Sequence, residues 1–283
     1  MRNLAKRDGR DPVDYITLYA LEGFLARLAD SDDSADFVLK GGVLMAAFAG
    51  RRPTRDIDLA ASGFPHDVED VVRRVKAFAA LDHGDGLIFD PDSVSGAVTR
   101  DEDAYSGVRV KLTPALATAR IALHVDVNFG DPIWPAAVDT ELPLLLGGTL
   151  RIRGYPDHMV LAEKIVTAID RGDQNTRWRD FVDIVAITDA RSVRQEDVAV
   201  AIEKVAAFRR VPTGPLAVVL SGMAEHAQSK WMTWRRKQRL EMATPERFQE
   251  LIDRCIVFAD PVLGGSADGF VWSCERKAWI PPL

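Results

Sequence analysis

The chain has 283 residues, 47% of them hydrophobic, which is enough for roughly two domains with substantial cores. Its 36 Lys and Arg against 42 Asp and Glu give a net charge of −6, the wrong sign for a surface that coats nucleic acid, so any such contact is local. Two cysteines, Cys255 and Cys274, exclude a disulfide scaffold, and no Cys/His set has zinc-ligand spacing. A reducing cytoplasm is the expected compartment. The N-terminus has no apolar h-region, and the longest apolar run, Val43 to Ala49, falls far short of the ~20 residues of a membrane helix. Neither a secretion signal nor a membrane span is expected.

In chain order, Ile16, Leu18, Tyr19, Leu21, Phe24, Leu25 and Leu28 predict a helix over 13–30, and Phe37-Val38-Leu39 a short buried strand. Gly41-Gly42 breaks that strand, Val43 to Phe48 reads as a short helix, and Gly50 to Thr54 as a loop. Arg55 to Ala60 is the next strand. Val68, Val71, Val72, Val75, Phe78 and Ala79 form the stripe of an amphipathic helix over 67–81. Between Leu87 and Asn128 the period falls to two. Val108, Val110 and Leu112 alternate with Arg109 and Lys111, and Leu123, Val125 and Val127 with His124, Asp126 and Asn128, as in strands with one wet face. A Pro/Gly-rich connection from Gly130 to Pro156 separates an α/β domain, 1–155, from a mainly helical one, 156–283. Helices are predicted in the latter at 176–189, 195–208, 213–228 and 245–258.

Asp56 and Asp58, two apart on a strand, place both carboxylates on one face while Ile57 and Leu59 turn to the other. Such a pair repels itself unless a divalent cation intervenes, and hard oxygen donors suit Mg²⁺ or Mn²⁺. An isolated Asp-x-Asp is more often a solvated strand end; its neighbours alter the reading. Lys40-Gly41-Gly42 stands where a strand gives way to a helix, a place for a phosphate cradle. Asp126, in the polar register of a later strand, is a third carboxylate that makes a two-metal site of Asp56, Asp58 and Asp126 plausible.

Together, Phe37-Val38-Leu39-Lys40-Gly41-Gly42, Arg52-Pro53-Thr54-Arg55-Asp56-Ile57-Asp58-Leu59, Val125-Asp126-Val127-Asn128-Phe129-Gly130-Asp131 and Leu161-Ala162-Glu163-Lys164-Ile165 with Arg171, Arg179, Asp180 and Asp183 resemble the nucleotidyl transferase AbiEii toxin family. This is a branch of the polymerase-β-like nucleotidyltransferases. The chain departs from that wider superfamily at Gly42, where a serine often stands. The resemblance implies an α/β (α+β) nucleotidyltransferase domain with a mixed sheet, followed by a helical-bundle C-terminal domain. It also implies a bacterial toxin held by a cognate antitoxin. Relatives of the MenT type transfer nucleotides from a nucleoside triphosphate to the 3′ end of tRNA and so block translation.

On this reading Asp56, Asp58 and Asp126 hold Mg²⁺ (or Mn²⁺), and Lys40, Gly41, Gly42, Thr54 and Arg55 border the nucleotide. Lys164 and Arg171, seven apart on one helical face, clamp the triphosphate, and Asp180 is the functional carboxylate of the next helix. Residues 230–239 carry five basic and no acidic side chains. Trp234, Arg235, Arg236 and Lys237 are expected to bind the tRNA acceptor end by charge and stacking; the competing reading is a helix whose tryptophans fill the core and whose basic face is merely solvated. Transfer to a small molecule or a protein, and a non-catalytic nucleotide-binding module, remain alternatives.

Overall fold

A computed structural model describes residues 1–9, 11–50, 54–100 and 106–282, so Arg52 and Pro53 of the quoted motif, and most of the expected loop from Gly50 to Thr54, lie outside the described residues. The chain divides into two compact units: residues 1–131 with 135–155, and residues 132–134 with 156–283. The short piece Pro132–Trp134 thus belongs with the second unit.

The first unit opens with α1 (Arg2–Arg7) and α2 (Pro12–Ala29). Proline at the first position and the Asp11 carboxylate, which accepts the Val13 N–H at 2.9 Å, set the start of α2. Strand β1 (Phe37–Lys40) runs into α3 (Gly41–Phe48), followed by β2 (Asp56–Ala61) and α4 (Val68–Ala79). The remaining strands are β3 (Leu87–Ile88), β4 (Ser95–Arg100), β5 (Ser106–Leu112), β6 (Ala115–Leu116), β7 (Ala119–Arg120), β8 (Leu123–Phe129), β9 (Val138–Pro143) and β10 (Thr149–Gly154). Seven of them form one mixed sheet in the order β4-β5-β8-β2-β1-β10-β9, with β8-β2 and β1-β10 parallel and the other pairs antiparallel. Strands β3, β6 and β7 make a small sheet of their own.

Leu21, Phe24, Leu25 and Leu28 of α2 and Val71, Val75 and Phe78 of α4 are buried with the apolar register of β2 and β8. The Phe24 and Phe78 rings meet edge to face at 5.2 Å. Along β8, Leu123, Val125, Val127 and Phe129 are buried while His124, Asp126 and Asn128 are partly exposed, so the alternation seen in the sequence is that of a half-wet strand.

Two expectations need correction. The segment 130–156 is a connection only in part, because β9 and β10 form a hairpin that completes the sheet around Gly147 and Gly148, both at positive φ. The turn glycines suggested a linker, while the short runs flanking them carried too little periodicity to show strands. The helix expected over 213–228 is instead a single turn, α8 (Leu216–Val219), and a separate α9 (Met223–Gln238). Gly222, in the left-handed region, interrupts the run.

The second unit contains α5 (Asp157–Arg171), α6 (Trp178–Ala190), α7 (Gln195–Arg209), α8, α9, α10 (Phe248–Leu263) and a terminal hairpin, β11 (Val271–Ser273) and β12 (Ala278–Ile280). Phe258 of α10 is fully buried against Trp272 and Trp279 of that hairpin, with ring centroids 5.0 and 5.2 Å away. Both indole N–H groups find backbone carbonyls, of Thr188 at 2.8 Å and Phe258 at 2.9 Å, so the tail tryptophans are structural.

His158, near the start of α5, donates through Nε2 to the Trp134 carbonyl at 2.9 Å, and its Nδ1 faces the Asp157 carboxylate at 3.6 Å. A carbonyl only accepts, so a second proton on Nδ1 serves the carboxylate as well. Burial pulls the imidazole pKa down, but the hydrogen bonds and the Asp157 charge outweigh it and raise the value above 6.5. This stabilisation is full below the ordinary histidine value and is lost as pH climbs through the raised folded value. Urea unfolding midpoints are expected to fall as pH rises above the ordinary histidine value, with a flatter profile in His158→Gln.

Candidate functional site

The geometry of the first unit is set by register. Arg109 of β5 lies opposite Asp126 of β8, Asp126 opposite Asp58 of β2, and Asp58 opposite Lys40 of β1. Side chains directly opposite share a face, so two carboxylates sit in one row between two cations. The next rung holds Asp56 opposite His124, and His124 opposite Lys111; His124 Nδ1 is 3.1 Å from Asp56 Oδ1.

Asp58 is the centre of this arrangement. Gly42 donates its N–H to Asp58 Oδ2 at 3.4 Å from the first turn of α3. Burial raises the Asp58 pKa above the ordinary carboxylate value; the nearby Lys40 charge and the Gly42 N–H oppose the rise, while Asp126 and Asp56 add to it. Such a crowded carboxylate gains most from a cation. Lys40 is itself buried, ion-paired with Asp131, and its ammonium stands 5.5 Å from the centre of the Tyr155 ring.

Gly41 is at φ +65°, and a Cβ on it would overlap the Asp58 carboxyl group. Glycine is therefore required twice, for the backbone conformation and for the close approach of strand and helix. Gly41→Ala is expected to cost at least about 1–2 kcal/mol from conformation alone, measured as a lower urea midpoint, and to displace Asp58 as well.

The carboxylates Asp56 and Asp58 fit a Mg²⁺ site, since that ion commonly binds through one or two carboxylates and completes its shell with water and phosphate. The expected third donor does not join them in this arrangement. Arg109 grips Asp126 with Nε and Nη2, each 2.7 Å from one carboxylate oxygen, and among the described residues no group of three His, Cys, Asp or Glu is placed to ligate a metal. The hydrogen bond to Asp126 raises the Arg109 pKa, and the charges of Asp126, Asp56 and Asp58 add to it, so its positive charge is secure. The alternation identified Arg109 as polar, but its partner lies across a strand pairing that only register reveals. Thr54 is buried with its hydroxyl donating to the Asp56 carbonyl at 3.2 Å, and Arg55 is exposed.

In the second unit Lys164 is buried, its ammonium 2.8 Å from Asp180 Oδ1 and 2.8 Å from Asp183 Oδ2. Arg177 donates to the other Asp180 oxygen at 2.9 Å. Burial acts to raise the Asp180 pKa, but Lys164 and Arg177 prevail and hold it below the ordinary value. Arg179 Nη2 donates to Gln238 Oε1 at 3.1 Å. Arg171 is at the last turn of α5, half-buried.

The basic segment 230–239 is the second half of α9. Trp231 is fully buried, and Trp234 stacks on it at 5.3 Å. Arg235 is not a surface RNA contact: it is 4% exposed and bonds the Glu241 and Thr244 carbonyls and the Thr244 hydroxyl at 2.8, 2.7 and 3.0 Å. A helical repeat turns it inward with Trp231, four residues earlier. Arg236 and Lys237 are exposed.

No curated protein sequence matches the chain. Among solved structures, JHP933 from Helicobacter pylori aligns with a TM-score of 0.53 at 14% identity, over 90% of this chain and 94% of that one. A candidate nucleotidyltransferase from Helicobacter pylori aligns with a TM-score of 0.52 at 15% identity, over 90% and 96%. At such identities the likeness is one of fold. Residues 23–274 match the family model described as nucleotidyl transferase AbiEii toxin, type IV toxin–antitoxin system, and with that extent of match the chain belongs to the AbiEii nucleotidyl transferase family.

Proposed function

We propose that this nucleotidyltransferase adds nucleotides from a nucleoside triphosphate to the 3′ end of tRNA in a Mg²⁺-dependent reaction (Mn²⁺ substituting). It thereby blocks translation in the cytoplasm and is restrained by a cognate antitoxin. The supporting observation is the row in which Asp58 stands between Lys40 and Asp126 at the glycine-built start of α3. In nucleotidyl transfer the acceptor oxygen bonds to the α-phosphorus, the bond to the bridging oxygen breaks, and pyrophosphate leaves. Bound Mg²⁺ supplies neutralisation of the charge that grows on the phosphate oxygens. Asp56 and Asp58 would hold it, Lys40 contributes a fixed positive charge, and Gly41 keeps the backbone bare where phosphate approaches. The reading gives Lys164, Arg171 and Asp180 a part in nucleotide binding, with Lys164 oriented by its two carboxylates.

Incubation with labelled nucleoside triphosphates, Mg²⁺ and total tRNA should label the RNA. Label in protein or in a small molecule would select a different acceptor, and no transfer from any nucleotide would select a non-catalytic module. For the RNA contact, Arg236→Glu with Lys237→Glu is expected to lower tRNA labelling about tenfold without unfolding the protein, since both side chains are exposed. Arg235→Glu should instead unfold the α9 region, whatever the substrate.

A further inference from the structure

The Arg109–Asp126 pair stands beside the carboxylates assigned to the cation. Asp126 faces Asp58 on one side and Arg109 on the other, and both of its oxygens are engaged by the guanidinium. The pair is only partly buried, with the Arg109 side chain 42% and the Asp126 side chain 17% exposed. The exposed part of the guanidinium leaves it open to a competing anion from solvent. A guanidinium also binds phosphate oxygens in the same two-pronged way as it binds a carboxylate. From this geometry we infer that Arg109 is a positioning residue that withholds Asp126 from the cation site and surrenders it when a triphosphate takes the guanidinium, leaving Asp126 beside Asp58 as a third carboxylate donor.

The inference rests on the assignment of Asp56 and Asp58 to a divalent cation, and the two can be tested apart by Mn²⁺ binding to the full chain without nucleotide, read from the electron paramagnetic resonance signal of free Mn²⁺. Arg109→Gln is expected to tighten Mn²⁺ binding about tenfold, because it frees a carboxylate next to Asp58. Adding Asp126→Asn to that variant should remove the gain. Arg109→Lys keeps the charge without the fork and should show part of the gain, which guards against a glutamine variant that fails to fold. Unchanged or weaker Mn²⁺ binding in Arg109→Gln and Arg109→Lys, with wild-type binding still lost in Asp58→Asn, would overturn the withholding role alone. Binding insensitive to Asp58→Asn would overturn the cation assignment, and the inference with it.

Discussion

Asp58→Asn is expected to lower nucleotide transfer about a thousandfold, the equivalent of about 4 kcal/mol of transition-state stabilisation, while leaving the metal-free protein as stable as the wild type or more so. The first part follows from the position of Asp58 between Lys40 and Asp126, with the Gly42 N–H directed at its carboxylate. The second follows from its surroundings. Burial and the charges of Asp126 and Asp56 disfavour the ionised form, and asparagine keeps the shape and an acceptor oxygen for Gly42 without the charge. Transfer assays with labelled nucleotide and urea unfolding in a chelator check the two halves. Full activity in the variant would remove Asp58 from the reaction, and a large loss of metal-free stability would show that the carboxylate is held by more than the structure records.

Lys164→Met should have the largest effect on stability. Methionine fills a similar volume but leaves Asp180 and Asp183 buried without the ammonium that bonds both, and breaking such a pair costs about 3–5 kcal/mol. Arg177, bonded to the outer oxygen of Asp180, recovers only part of that loss. Because the Asp180 pKa is held below the ordinary carboxylate value, its contribution is present above that value and is lost as pH falls through the lowered one. The gap in urea midpoint between wild type and Lys164→Met should therefore close in acid. Combining Lys164→Met with Asp183→Asn should recover part of the stability at neutral pH, since one of the stranded charges is gone. A variant as stable as wild type would mean that water, not Lys164, satisfies the two aspartates. Activity lost beyond the unfolded fraction would be the mark of a separate role in nucleotide binding.

Much of the site could be read locally. Asp56 and Asp58 share a face because a strand alternates, and Gly41-Gly42 marks the start of α3 because the backbone there must adopt a positive φ that other residues resist. The basic segment was a harder case. Lys230, Arg235, Arg236, Lys237 and Arg239 look alike as a string, yet the helical turn buries Arg235 beside Trp231 and leaves Arg236 and Lys237 in water. The hairpin of β9 and β10 was hidden for another reason: an edge strand such as β9 buries little, so its sequence carries a faint alternation.

By itself the sequence determined the periodicities, and with them the buried faces of β2, β8, α2 and α4 and the pairing of Asp56 with Asp58 on one side of a strand. Tertiary structure decided which side chains face those carboxylates. Arg109 meets Asp126 only through the register of β5 on β8, and Lys164 meets Asp180 and Asp183 only because α5 and α6 lie side by side. Periodicity is a property of one segment, whereas a partner is fixed by how two segments align, and one residue of slip would turn Asp126 away from Arg109 to the opposite face.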